Sequence, residues 1–139
     1  MRLELKQNNM MRTIEDYNTL SHEIIGAAIE VHKQLGPGLL ETVYESCLIA
    51  ELQSRGIKVE HQVQVPITYK GVVVGHPLII DLLVEDCIIV ELKTVNELLD
   101  IHSAQLLSYL RITDKKLGLL INFNTVQLRD GLKRVVNGL

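Results

Sequence analysis

The sequence has no tryptophan and one phenylalanine, so its interior must be built from Ile, Leu and Val, as in a small sheet packed on helices. Two cysteines, Cys47 and Cys87, are too few for a disulfide framework. They read as small core residues of a reducing, cytoplasmic protein. Three prolines and nine glycines exclude a collagen-like or low-complexity chain. Long hydrophobic runs are missing too. The most apolar stretches, 77–84 and 117–123, fall far short of a bilayer span, so no membrane partner is expected. The first nine residues lack the apolar centre of a signal peptide. Neither sign of charge dominates: 14 Lys+Arg against 17 Asp+Glu leave −3. That argues against coating nucleic acid by bulk charge but allows a local basic rim, for which Lys115, Lys116, Arg129, Lys133 and Arg134 are available.

What is present is one domain's worth of chain. The 139 residues are 47% hydrophobic and 22% charged, enough apolar material for a single core. Residues 1–18 are polar and read as a tail; 19–139 read as the domain. A helical repeat starts at Ser21, a plausible N-cap, and runs through Ile24, Ile25, Ala28, Val31 and Leu35. Gly36-Pro37-Gly38 stops it, Gly36 being suited to a left-handed cap. A second helix is expected over 39–54, with Leu40, Tyr44, Cys47, Leu48 and Leu52 as its stripe. Extended stretches follow at 59–69, where Pro66 suggests an edge, and at 72–84, interrupted near Gly75-His76-Pro77. The next, 87–93, is apolar enough to be buried on both faces. A helix is expected over 98–112 and a strand over 117–123. Residues 126–136 fit either a hairpin or a short helix capped by Asp130. The order gives an α/β (α+β) sheet flanked by helices.

Three stretches carry chemistry. Cys87–Lys93 is apolar except for Glu91 and Lys93, which stand two residues apart and so share a face. Asp81 lies on the preceding strand. Charges in such a strand are costly unless used, and two carboxylates with an ammonium can hold Mg²⁺ or Mn²⁺ or form a structural ion pair. Sharing one face demands a particular register. A two-residue turn at Glu85-Asp86 sets Asp81 and Glu91 on opposite faces. A three-residue turn, pairing Val84 with Ile88, or a bulge, brings them together. The resulting repulsion should raise at least one carboxylate pKa. In the second stretch, Gly38, Glu41 and Tyr44 open helix two, where a glutamate also serves the helix dipole. In the third, His102, Gln105 and Tyr109 recur at i, i+3, i+7 on one helical face, which is either a solvated face or a polar rim of the site. His22 and His32 read as packing or surface residues. No Cys/His cluster has zinc spacing, and no phosphate-binding glycine loop follows a strand.

Together the three stretches resemble the GxxExxY proteins of the PD-(D/E)XK nuclease-like superfamily. Gly38, Glu41 and Tyr44 match the naming pattern, and Asp81 with Glu91-Leu92-Lys93 match the acidic and E-x-K motifs. Gln105 and Tyr109 match the helix motif, and residues 117–123 resemble the closing strand. Ile80 stands where the superfamily often has proline. The resemblance spans about Leu20 to Asn137. It implies a restriction-endonuclease-like mixed sheet, core order α-β-β-β-α-β with an extra N-terminal helix. It further implies Asp81, Glu91, the Leu92 carbonyl and Glu41 as ligands of one or two Mg²⁺ or Mn²⁺ ions. Lys93 would act on the attacking water, and Gln105, Tyr109 and Tyr44 would orient substrate. The activity implied is metal-dependent phosphodiester hydrolysis on nucleic acid, with a homodimer as one way to engage a duplex. The alternative is a non-catalytic module binding nucleic acid or protein on the same fold.

Overall fold

Thr13 begins the first helix of the computed structural model, which describes residues 12–139. Its hydroxyl accepts from the Asp16 N–H while Asp16 accepts from the Thr13 N–H, a reciprocal cap that satisfies two free donors. Helix α1 (Ile14–Leu35) therefore starts seven residues before Ser21, which is buried in mid-helix. The expected tail is corrected accordingly: residues 12–18 are cap and helix, and Tyr17 is buried in the core. The rest of that tail, 1–11, lies outside the described residues. Gly36 closes α1 by donating to the His32 carbonyl. Its φ of 68° is positive as expected, but ψ is −175°, an extended combination open essentially to glycine rather than a left-handed cap.

The remaining elements are α2 (Glu41–Ser54), β1 (Val59–Val65), β2 (Thr68–Tyr69), β3 (Val72–Val73), β4 (Leu78–Val84), β5 (Ile88–Lys93), α3 (Asp100–Thr113), β6 (Leu117–Asn122) and β7 (Leu132–Val136). The expected 59–69 and 72–84 stretches each divide, and their near ends form a separate small hairpin, β2–β3. Leu40, expected in the α2 stripe, is the N-cap and is exposed. The ambiguous 126–136 resolves as a 3-10 turn (Leu128–Gly131) followed by β7, with Asp130 inside the turn.

The main sheet has the order β1-β4-β5-β6-β7. β5 and β6 are parallel, joined through α3, and every other neighbour is antiparallel. β1 is an edge strand, as Pro66 suggests. β5 and β6 are almost wholly buried, consistent with their unbroken apolar runs. One face packs against α1 and α2 through Leu82, Val84, Val90, Leu92, Leu119 and Ile121. The other packs against α3 through Leu83, Ile89, Leu120, Leu106 and Leu110. Gly118 lets α3 come close: a Cβ there would meet Leu106 at 2.8–2.9 Å. This is the restriction-endonuclease-like arrangement expected, with α1 as the extra helix. Among the described residues no helix is long and apolar enough to cross a membrane.

Candidate functional site

The turn between β4 and β5 decides whether a site exists. Val84 pairs with Ile88, Leu83 with Ile89 and Leu82 with Val90. The turn is thus the three-residue form, and the same register sets Asp81 opposite Glu91 on one face. Pairing stops at Leu82–Val90. Beyond it the side chains take over: the Asp81 N–H donates to Glu91 Oε2 (2.9 Å), and the Leu92 N–H donates to Asp81 Oδ2 (2.9 Å). Each carboxylate thereby satisfies an amide of the opposite strand, which holds both acids in a fixed orientation.

Side-chain alternation in β4 also breaks here. Ile80 packs with the α3 cluster and Leu82 with the α1/α2 cluster, although residues two apart normally share a face. Asp81 sits at the change of face.

Burial sets the electrostatics. Glu91 is 6% exposed, and its carboxyl is pushed up to about 8, by burial first and by the charge of Asp81 second. The hydrogen bond from Asp81 and the Lys93 ammonium pull the other way. Asp81 is raised by burial and held back by the Leu92 N–H, by Lys93 and by the Gln62 carboxamide. Glu41, the first residue of α2, is raised by burial and then by Asp81, while Lys93 opposes. Repulsion therefore contributes to Glu41 and Glu91 as expected, but burial is the larger cause. The structure thus gathers Asp81, Glu91, Glu41 and Lys93 into one electrostatic unit. Tyr109 joins them: burial, then Glu91 and Asp81, raise its hydroxyl pKa.

The other expected site residues stand apart. Tyr44 is fully buried, stacked on Phe123 at 4.5 Å. Its hydroxyl donates to the Gly36 carbonyl (2.5 Å) and accepts from the Leu39 N–H (3.1 Å). Both contacts are internal, so Tyr44 fixes the loop leading into Glu41 and does not face a substrate. Gln105 is exposed, and among the described residues it makes no hydrogen bond to the carboxylates. His102 accepts from the Leu99 N–H at Nδ1 (3.0 Å), capping α3. The Leu92 side chain is in the core, so only its backbone is available to the site.

Three residues of the neighbourhood escaped the sequence reading. Glu45 lies one turn after Glu41, an i, i+4 spacing that could have flagged it. Gln62 holds Glu45 (3.0 and 3.2 Å) and carried no signal among the alternating residues of β1. Asn122, opposite Lys93, accepts from the Val95 N–H (3.1 Å) and donates to the Val95 carbonyl (2.9 Å), pinning the chain as it leaves β5. A buried amide in an apolar run was the available signal. His32 is buried and bonds the Thr125 carbonyl at 2.8 Å, a packing role.

Among the described residues no three His, Cys, Asp or Glu side chains form a ready metal cluster. The donor set nonetheless suits a hard divalent cation. Mg²⁺ takes one or two carboxylates and keeps several waters, and Asp81 and Glu91 are two oriented oxygen donors with the Lys93 ammonium nearby.

Comparison with known proteins bears on the fold and the family. No curated protein sequence matches the chain. The crystal structure of SSO0001 is similar in fold, with a TM-score of 0.55 and 19% identity over 88% of this chain and 61% of that one. This chain thus spans about three-fifths of that protein's length. A family model described as the PD-(D/E)XK nuclease superfamily matches residues 18–135, which takes in most of α1, all of α2, the Asp81–Glu91 pair, Lys93 and β6. The chain belongs to the PD-(D/E)XK nuclease superfamily.

Proposed function

We propose that this protein is a divalent-metal-dependent nuclease of the GxxExxY group, hydrolysing phosphodiester bonds of nucleic acid. The observation that carries it is the Asp81–Glu91 pair, opposed across β4 and β5 with Lys93 two residues on. Superfamily members generally use divalent metals. Here Asp81, Glu91 and the Leu92 carbonyl would hold Mg²⁺ or Mn²⁺, with Glu41 reaching it directly or through water. A cation bound there supplies Lewis acidity toward water and the scissile phosphate. Asp81 and Glu91 are kept in place by the amides they accept from. Lys93, on the same face as Glu91, orients the attacking water or neutralises charge on the phosphate as the bond to the leaving oxygen breaks. Tyr109 orients substrate through its hydroxyl, and Gln105, exposed on the same helix, contacts it at the rim.

The test is cleavage of labelled single- and double-stranded DNA and RNA with Mg²⁺ or Mn²⁺. Lys93→Ala should leave folding and metal response nearly intact and slow turnover about 100-fold or more, the scale of a positioned acid–base group. Asp81→Ala should abolish metal response and cleavage together. If the wild type cuts none of the substrates, or Lys93→Ala cuts as well, the fold here serves as a non-catalytic binding module.

A further inference from the structure

Backbone with positive φ occurs at five non-glycine residues among those described: Gln62, Lys70, Glu85, Asp86 and Asp114. Four have ordinary reasons. Lys70 turns the β2–β3 hairpin, Glu85 and Asp86 turn β4 into β5, and Asp114 caps α3. Gln62, with φ 50°, is different, because it lies in the middle of β1. A side chain in that region is strained, and a strand gives no local reason to accept the strain.

The kink is opposite Asp81. His61 pairs with Leu82 and Val63 with Ile80, so Gln62 falls against Asp81, yet these two residues alone are skipped in the ladder. It is also where β4 changes face. From this position the Gln62 carboxamide donates to both oxygens of Glu45, at 3.0 and 3.2 Å. The Glu45 side chain is only 14% exposed, and its other neighbour, His61 Nδ1, is 3.9 Å away, so Gln62 is its principal donor. The same carboxamide stands beside Asp81 and holds its carboxyl pKa down. A primary amide has two N–H groups, enough to serve both acids.

We propose that Gln62 is a positioning residue of the site, bridging Glu45 on α2 to Asp81 on β4 from its left-handed kink in β1. The bridge fixes the rotation of α2 beside the sheet, and Glu41 lies one turn before Glu45 on the same helical face. Gln62 thus orients Glu41 and Asp81 together, acting through them rather than on substrate. This inference rests on the cation site proposed above. Such supporting contacts, when removed, weaken metal binding by about 10–100-fold.

Glycine separates this role from a merely structural one, because glycine takes φ 50° without strain. In Gln62→Gly the metal-free melting temperature should stay within about 3 °C of wild type or rise. The Mn²⁺ concentration giving half of the thermal stabilisation should rise about tenfold or more. Gln62→Asn, which also tolerates this backbone but is a methylene short of the bridge, should show the same pattern, and it decides the matter if the glycine variant does not fold. A Mn²⁺ midpoint within about twofold of wild type in the variant that folds would overturn the inference and leave the cation site standing. A wild type whose melting is indifferent to millimolar Mn²⁺ would overturn the cation site and this inference with it.

Discussion

Replacing Glu91 by glutamine should make the metal-free protein more stable, with a pH dependence that identifies the cause. The folded protein holds the Glu91 carboxyl at a pKa of about 8, against 4.5 for a free glutamate side chain. A folded-state pKa raised in this way means that the native state keeps a proton that the unfolded chain releases. Stability is undiminished below the unfolded value and falls as pH rises, by up to about 1.4 kcal/mol per pH unit until pH passes the folded value. At pH 7 the accumulated cost has an upper bound of about 3 kcal/mol, and relaxation of the site brings the expected figure to about 1–3 kcal/mol. Glutamine resembles the protonated acid, and its oxygen can still accept from the Asp81 N–H. The variant should therefore match the wild type near pH 5 and exceed it increasingly toward pH 8. For a domain of this size the gain is about 3–10 °C in melting temperature. Denaturant unfolding with chelator present, from pH 5 to 8.5, measures it. Asp81 and Glu41 also have raised values and remain in both proteins, so the difference reports Glu91 together with its coupling to them. Millimolar Mn²⁺ should reverse the order by stabilising only the wild type. A glutamine variant no more stable than wild type at pH 8, or a difference constant across pH, would refute the assignment of a buried, repelled carboxylate.

Tyr44→Phe keeps the ring stacked on Phe123 but leaves the Gly36 carbonyl and Leu39 N–H without their partner, which should cost about 1–3 kcal/mol in denaturant unfolding. Little loss would mean that the loop before Glu41 is not held by this hydroxyl. Asn122→Ala should destabilise by about 2–4 kcal/mol, because both polar groups of Val95 lose a partner at once; an effect below about 0.5 kcal/mol would show the β5 exit to be held by something else. Tyr109→Phe, which keeps the ring against the α3 cluster, should slow cleavage less than Lys93→Ala does, as single-turnover assays will show. An equal loss would move Tyr109 from orienting group to the centre of the chemistry.

Much of the molecule was legible in its sequence because the relevant forces are local or periodic. The apolar runs of β5 and β6 announced strands buried on both faces. Glu91 and Lys93 announced themselves by interrupting one of those runs, and their shared face follows from the period of a strand. Even the turn could be reduced to two alternatives by counting residues between Asp81 and Glu91. Choosing between them was beyond the sequence, because the register of β4 on β5 depends on how Leu82, Leu83, Ile89 and Val90 divide between two cores. The start of α1 was misplaced because Thr13 and Asp16 cap it from within a polar stretch that resembles a tail. Tyr44 enters the expected chemistry only through the family resemblance, and packing shows its hydroxyl spent on the loop beside it. Gln62 and Glu45 are the clearest case. They lie 17 residues apart and meet because α2 packs beside β1, and the left-handed kink that aims Gln62 is imposed by contacts, not by any preference of glutamine. The sequence by itself therefore determined most of the elements, the burial of β5 and β6 on both faces and the face shared by Glu91 and Lys93. Tertiary structure alone decided which of those residues face one another, because side-chain direction depends on register and packing that no local pattern encodes.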